Sequence, residues 1–215
     1  MNETSGTHDE EKALASNALI LMGIKHCGKS TQGRLLSKHF ACPFFDTDDK
    51  ILEMTGKSPR EIYTEQGEAE FIAAEEKACG ALKEKLSMRT SASKPYSAVI
   101  ATGGGVCKNE KALAILRDLG TLIFLNAEEK TAADRIVREA VVGEDGSLSN
   151  LPAYIAKDEP KTLEHVRASF HRFYEERTKK YSAICDLKVD MTSAPPETHM
   201  ERVLRSLRQK NATTR

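Results

Sequence analysis

The stretch ALILMGIKHCGKS, residues 18–30, joins a continuous apolar run to a glycine-containing loop. The run Ala18–Met22 is typical of a short strand that is buried on both faces of a parallel sheet. Residues 23–30 then match the motif G-x-x-x-x-G-K-[ST], and apolar side chains recur at helical spacing over residues 29–40. We therefore predict a strand, a phosphate-binding loop and a helix in that order.

The chemistry of this loop suits an anion. Glycines allow backbone N–H groups to turn inward around phosphate oxygens, and the N-terminus of the following helix adds partial positive charge. Lys29 would reach the β- and γ-phosphates, and the Ser30 hydroxyl would be a ligand of Mg²⁺. An ordinary strand–turn–helix corner is the alternative. The residues that we expect to contact the nucleotide here are Gly23, His26, Cys27, Gly28, Lys29, Ser30 and Thr31, with Cys27 interpreted as a filler position rather than as a reactive thiol.

Two further strand ends carry residues that could bind a ligand. Pro43–Phe45 is a second short apolar strand, and Asp46 and Asp48 follow it. One carboxylate can hold Mg²⁺ through water while the other accepts a proton from an attacking hydroxyl. The alternative is that Thr47 or Asp48 caps a helix. A third strand, Ala98–Ala101, leads into Thr102 and then Gly103, Gly104 and Gly105, whose backbone a second substrate can approach closely.

Strands alternate with helices along the rest of the chain, which predicts an α/β fold with a parallel sheet covered on both faces. Further strands are expected at 121–125 and 186–190, and helices at 48–54, 58–64, 68–86, 109–119, 128–142, 163–181 and from 197 to about 209. Residues 143–160 have no clear period and are interpreted as a mobile loop or lid. We expect a polar disordered tail over residues 1–15, one domain over 16–210, and a short tail over 211–215.

Composition excludes several classes of protein. The 215 residues contain 32 Lys and Arg and 32 Asp and Glu, so the formal net charge is zero, which disfavours a nucleic-acid-binding surface. The longest apolar stretch is far too short to span a membrane, and the polar, acidic start does not match a signal peptide. Five scattered cysteines without a C-x-x-C pair argue against a disulfide framework or a zinc site, so we expect a cytoplasmic protein.

These motifs together resemble the shikimate kinase family, a small group of P-loop kinases related to nucleoside monophosphate kinases. The resemblance covers residues 17–208. It is carried, in chain order, by GIKHCGKST, FFDTDDKI, the Gly67–Glu75 stretch with Phe71 and Glu75, ATGGGV, and Arg177-x-x-x-Tyr181. It implies a three-layer α/β/α fold with a five-stranded parallel sheet, a mobile lid, and transfer of the γ-phosphoryl of ATP to the 3-hydroxyl of shikimate, with Mg²⁺ as cofactor. The family also implies a monomer.

The resemblance assigns roles to individual residues. Asp48 would bind the hydroxyls of the acceptor and act as the base, and Lys29 would assist phosphoryl transfer. Asp46 would lie in the outer shell of the Mg²⁺ ion that Ser30 binds. Gly103, Gly104 and Gly105 would offer backbone to the acceptor, and Arg177 would pair with its carboxylate. Arg135 and Pro196 fall where the family encloses the adenine ring.

The chain departs from the family at two places. Phe71-Ile72 stands where the family has Phe-Arg, so that one guanidinium for the acceptor carboxylate is missing. The lid between Gly143 and Pro160 contains no arginine, and Lys157 is its one basic residue. Two alternatives therefore remain open: a P-loop kinase with a different acceptor, and a weakly catalytic ATP-binding module that acts through a partner.

Overall fold

The structure is a computed structural model that describes residues 17–88 and 95–213. Five parallel strands form one sheet in the order β2 (Phe44–Asp46), β3 (Val99–Ala101), β1 (Ala18–Met22), β4 (Gly120–Ala127) and β7 (Leu187–Met191). The predicted α/β fold with a five-stranded parallel sheet is therefore confirmed. The predicted tail over residues 1–15 lies outside the described residues.

Helices connect the strands and cover the sheet. In chain order they are α1 (Lys29–Phe40), α2 (Thr47–Thr55), α3 (Pro59–Glu65), α4 (Glu68–Ser87), α5 (Glu110–Leu119), α6 (Glu129–Glu139), α7 (Ala153–Ala156), α8 (Leu163–Ile184) and α9 (Pro196–Thr213). A 3₁₀ turn, Val106–Lys108, precedes α5, and a two-stranded antiparallel hairpin, β5 (Val141–Val142) with β6 (Leu148–Ser149), follows α6. The last helix thus extends beyond residue 209 and into the segment predicted as a tail.

The central strand β1 divides the core into two layers. Successive side chains of a strand point to opposite faces. Leu19 and Leu21 therefore join one buried cluster, which includes residues of α1, α6 and α9. Ala18, Ile20 and Met22 join a second cluster with residues of α4 and α5. Because both faces of β1 are covered, an uninterrupted apolar run is what this strand requires.

The prediction for residues 128–160 is wrong in two respects. Helix α6 ends at Glu139 and not at residue 142, because Val141 and Val142 pair with β6 and lie exposed in the hairpin. The lid is also not a loop without structure. Its short helix α7 is anchored by Leu151 and Ile155, both buried in the cluster that contains Leu19.

Among residues 17–88 and 95–213, no helix is both long enough and apolar enough to cross a membrane.

Candidate active site

A cavity of about 730 Å³ opens at the carboxyl ends of β1, β2 and β3. Ligands of open α/β sheets bind at this edge. The predicted site residues that line the cavity are His26, Gly28, Lys29, Ser30, Thr31, Asp46, Asp48, Gly103, Gly104, Gly105, Arg135 and Arg177. The topology thus brings the phosphate loop, the acidic pair and the glycine triplet together, although they are far apart in the sequence.

Hydrogen bonds from Lys29 connect the two ends of the phosphate loop. Its Nζ donates hydrogen bonds to the carbonyl oxygens of Gly23 at 2.9 Å and Ile24 at 2.8 Å. Gly28 precedes α1 with a φ of 94°, a left-handed conformation that glycine adopts without steric cost. The lysine is therefore held by loop carbonyls at the start of a helix, where a phosphate group could replace them as its partner.

Ser30 and Asp46 meet at the phosphate end of the cavity. The Ser30 hydroxyl donates to Asp46 Oδ2 at 2.9 Å, and Asp46 Oδ1 accepts from the backbone N–H of Asp48 at 3.1 Å. Asp46 is therefore the N-cap of α2, which corrects the expectation that Thr47 or Asp48 fills that position. The cap and the contact with Ser30 are compatible, because the two oxygens of the Asp46 carboxylate accept one hydrogen bond each.

The glycine loop contacts Thr47, the residue between the two acidic residues. The Gly103 N–H donates to Thr47 Oγ1 at 3.0 Å, and both groups are buried. A Cβ atom on Gly103 would lie 3.0 Å from Glu75 Oε1 and 3.1 Å from Asp48 Oδ1, so two carboxyl oxygens face this backbone. A Cβ on Gly104 would lie 2.9 Å from the backbone nitrogen of Lys25. Glycine at 104 therefore allows the third-strand loop to contact the phosphate loop.

Asp48 lines the cavity and has one unsatisfied carboxylate oxygen. Its Oδ1 is buried and has no hydrogen-bond partner among the residues that the structure describes. Burial raises the pKa of Asp48 to about 6, the nearby Asp46 carboxylate adds to this shift, and Lys29 opposes it. Such a group is ionised at neutral pH and has a higher proton affinity than an ordinary carboxylate, as a base that takes a proton from a hydroxyl requires.

Glu75 is a second buried carboxyl at the same wall. Only 1% of the residue is exposed, and its Oε2 accepts a hydrogen bond from Asn109 Nδ2 at 3.0 Å. The same amide nitrogen donates to the backbone carbonyl of Ile72 at 2.9 Å. Burial raises the pKa of Glu75 to about 7, partly offset by the Asn109 hydrogen bond. In this chain Glu75 is therefore hydrogen-bonded to the side-chain amide of Asn109, while position 72 is an isoleucine and offers no guanidinium.

Arg177 packs against two aromatic rings that contact each other, and it also contacts the glycine loop. Its guanidinium carbon lies 4.2 Å from the ring centroid of Tyr154 and 5.4 Å from that of Phe173. Its Nη1 donates to the carbonyl oxygen of Gly104 at 3.0 Å, while its buried Nε has no partner in the described part of the chain. A planar guanidinium fixed in this way can bind a carboxylate in a defined orientation.

Arg135 lies at the outer end of the phosphate loop. It donates through Nη1 to the carbonyl oxygen of His26. His26 has a φ of 65°, which is uncommon for a residue other than glycine, and its Nε2 lies 3.3 Å from Glu139 Oε2. Burial lowers the pKa of His26, and the Glu139 carboxylate opposes this shift. Arg135 and Glu139, both in the C-terminal half of α6, thus support the loop.

Three predicted site residues do not line the cavity. Gly23 packs its backbone against β4, since a Cβ there would lie 2.6 Å from the Leu125 carbonyl oxygen. Cys27 is buried in the core, in agreement with its interpretation as a filler. The carbonyl oxygen of Pro196 accepts a hydrogen bond from Gln32 at the start of α9. Their predicted roles toward a nucleotide stay predictions.

The cavity also contains residues that the sequence reasoning missed. Phe173 precedes Arg177 by one helical turn, so its place on the same helix face could have been inferred from the spacing. Asn109 caps α5, and an asparagine before a helix is a recognisable signal. Lys25 lies inside the loop motif itself. Tyr154 gave no signal, because its position depends on how the lid folds over the sheet.

The oxygen ligands present fit a magnesium ion. Among the described residues, no group of three or more His, Cys, Asp and Glu side chains could form a metal site by itself. A Mg²⁺ ion in a kinase, however, takes few protein ligands and several phosphate oxygens. The Ser30 hydroxyl and the Asp46 carboxylate lie together beside the phosphate loop, and both are hard oxygen ligands. Ser30 would bind such an ion directly, and Asp46 would hold it from the outer shell, through water.

Comparison with known proteins points to one family. The family model described as "Shikimate kinase" matches residues 25–208. The shikimate kinase of Desulforudis audaxviator (strain MP104C) is 33% identical over 172 residues, which cover 80% of this chain and 76% of the relative. That of Aquifex aeolicus (strain VF5) is 32% identical over 189 residues, covering 88% of this chain and 95% of the relative.

Solved structures give the same result for the fold. The crystal structure of the Aquifex aeolicus shikimate kinase matches with a TM-score of 0.61 at 28% identity, over 91% of this chain and 98% of that one. A shikimate kinase from Acinetobacter baumannii in complex with shikimate matches with a TM-score of 0.69 at 20% identity, over 93% of this chain and 98% of that one. At 20% identity this second likeness concerns the fold.

Proposed function

The chain belongs to the shikimate kinase family of ATP-dependent kinases, and we propose that it transfers the γ-phosphoryl group of ATP to the 3-hydroxyl of shikimate. One observation supports this proposal above all others. A single cavity contains the phosphate loop, the unpartnered Asp48 carboxylate oxygen and the Arg177 guanidinium. A nucleotide phosphate, a reacting hydroxyl and a carboxylate can therefore be bound side by side.

The nucleotide side of the reaction is assigned to the phosphate loop. Backbone N–H groups at the start of α1 bind phosphate oxygens, and Lys29 exchanges the Gly23 and Ile24 carbonyls for the β- and γ-phosphates. Ser30 would bind Mg²⁺ beside them, with Asp46 in the outer shell of the ion. The ion, when bound, neutralises part of the charge on the β- and γ-phosphate oxygens.

The acceptor side is assigned to Asp48 and Arg177. Arg177 binds the carboxylate of shikimate and is oriented by the rings of Tyr154 and Phe173. The 3-hydroxyl is assigned to Asp48, which accepts its proton as the oxygen attacks the γ-phosphorus. The bond from the γ-phosphorus to the bridging oxygen breaks at the same time, and ADP leaves with that electron pair. Lid residues such as Leu151 and Pro152 cover the cavity and exclude water.

A coupled assay of ADP release tests the proposal. The wild-type chain is supplied with MgATP and either shikimate or cyclic polyols that lack a carboxylate. We expect turnover with shikimate and much less with the polyols, because Arg177 has no anion to bind in the second case. Turnover with a polyol and none with shikimate would contradict the proposal. That result would favour a different acceptor, for which the apolar Ile72 at the cavity wall would be suited.

A further inference from the structure

The cavity is lined by more cationic side chains than the two that the proposed reaction uses. Seven lysine and arginine side chains line it: Lys25, Lys29, Arg60, Lys108, Arg135, Lys157 and Arg177. A phosphoryl group in transfer spreads its charge over three oxygens, and a cation aimed at these oxygens lowers the barrier. The state of each side chain shows which ones are available for that task.

Six of the seven are held by a neighbouring group of the protein. Lys29, Arg135 and Arg177 each donate to a backbone carbonyl. The other three contact side chains: Arg60 lies 3.4 Å from Asn150 Oδ1, Lys108 lies 3.3 Å from Glu176 Oε2, and Lys157 lies 3.6 Å from Glu68 Oε2. Of these six, only Lys29 belongs to the phosphate loop.

Lys25 differs from the others. Its side chain makes no hydrogen bond and no ion pair with any residue in the ranges 17–88 and 95–213, and it is exposed to the cavity. It follows Ile24 in the loop, and its backbone nitrogen lies where the loop contacts Gly104 of the third-strand loop. The residue therefore lies at the junction of the nucleotide region and the acceptor region.

The charge of Lys25 also acts on the residues at this junction. Burial raises the pKa of Asp48, and Lys25 is a minor cause that opposes this rise; burial also lowers the pKa of His26, to which Lys25 adds. The lysine is thus electrostatically coupled both to the acceptor side and to the loop. The lid offers no equivalent cation, because residues 143–160 contain no arginine and Lys157 is paired with Glu68.

We propose that Lys25 is a catalytic residue whose ammonium group binds the γ-phosphoryl group during its transfer. This inference rests on the proposed function, since it assigns a role in the same phosphoryl transfer. Lys25 enters from the loop side, between the leaving ADP and the attacking hydroxyl. It stabilises the charge that develops on the γ-phosphate oxygens, while Lys29 reaches the β- and γ-phosphates from the start of α1.

The test compares Lys25→Met with Lys25→Arg and with the control Lys38→Met. Methionine keeps the unbranched shape and most of the length of the side chain and removes its charge, whereas arginine keeps the charge. Lys38 is exposed in the last turn of α1, away from the cavity lining. For each protein we would measure kcat with shikimate, and the affinities for MgATP and MgADP by calorimetry.

For Lys25→Met we expect kcat to fall on the order of 10²-fold, as when one donor to a developing oxyanion is removed. The preference for MgATP over MgADP should fall roughly ten-fold, because only MgATP carries the γ-phosphate. Lys25→Arg should restore most of both quantities, and Lys38→Met should match the wild type. Folding of each variant is monitored by its MgADP affinity, which should be unchanged.

Two results would overturn the assignment. A Lys25→Met enzyme with the kcat and nucleotide preference of the wild type would remove Lys25 from the reaction. A loss of kcat with an unchanged preference for MgATP would place Lys25 on the acceptor side. If the wild type itself does not phosphorylate shikimate, the proposed function fails, and the comparison of MgATP with MgADP still decides whether Lys25 binds the γ-phosphate.

Discussion

Replacing Glu75 by glutamine should make the protein much more stable at pH 8 and only slightly more stable at pH 5. Glu75 is 1% exposed, and one of its oxygens, Oε1, has no partner among the described residues. Its one hydrogen bond comes from Asn109, a neutral amide. Glutamine has nearly the same shape as a protonated glutamate, so the substitution removes the charge and retains the packing.

The magnitude follows from the pKa. Burial raises the pKa of Glu75 from 4.5 to about 7, a difference of about 2.5 units, and each unit corresponds to about 1.4 kcal/mol. An acid whose pKa is raised by folding binds more protons in the folded than in the unfolded state between these two values. Stability therefore falls as the pH rises from 4.5 to 7, and the loss remains above 7. Glu75→Gln removes this loss, which is about 3–4 kcal/mol.

Urea unfolding of the two proteins at pH 5 and pH 8 measures this difference. Other titrating groups contribute nearly equally to both proteins, so they cancel in the comparison. Glu84→Gln serves as the control, because Glu84 is exposed on the same helix, α4. It should change stability by less than about 0.5 kcal/mol at either pH. A Glu75→Gln protein that is equally or less stable than the wild type at pH 8 would refute the description of Glu75 as a charge without an ionic partner.

Three further predictions concern activity. Asp48→Asn should lower kcat on the order of 10³-fold, because the variant lacks the base, and calorimetry should show an unchanged affinity for MgATP. A variant with near-normal turnover would remove Asp48 from the mechanism. In the wild type, kcat/KM for shikimate should rise as the pH increases through about 6, because Asp48 must lose its proton to act as a base. A profile that is flat from pH 5 to 8 would contradict this assignment. Ile72→Arg should lower the KM for shikimate roughly ten-fold by adding a second guanidinium for the carboxylate, one helical turn from Glu75. An unchanged KM would mean that the acceptor carboxylate lies elsewhere.

The sequence was most informative where local chemistry determines the structure. An apolar run followed by Gly-Lys-Ser fixed the strand, the loop and the start of α1, and the observed bounds of α1 agree with the predicted helix over residues 29–40. Asp46 and the glycine triplet were located because parallel strands place their carboxyl ends at one edge. The roles of these residues toward substrates are predictions that the experiments above test.

The lid shows why the rest could not be predicted. Val141 and Val142 continue an apolar pattern that suits α6, yet they form a hairpin whose turn depends on Gly143 and Ser147. Leu151 and Ile155 are buried only because α8 and the sheet provide a surface for them. Contacts between residues distant in sequence decided this segment, and no local pattern encodes them. The same holds for Tyr154, whose ring reaches Arg177 through the fold of the lid.

Identification of the reaction product tests the central claim most directly. The wild-type chain is incubated with MgATP and shikimate, and the product is examined by phosphorus and proton NMR, with Asp48→Asn as the control. We predict one new phosphate ester on the 3-hydroxyl of shikimate, formed in a one-to-one ratio with ADP and nearly absent with the variant. Consumption of ATP without a phosphorylated shikimate, or a phosphate on another hydroxyl, would contradict the assignment of Asp48 and Arg177 to the acceptor.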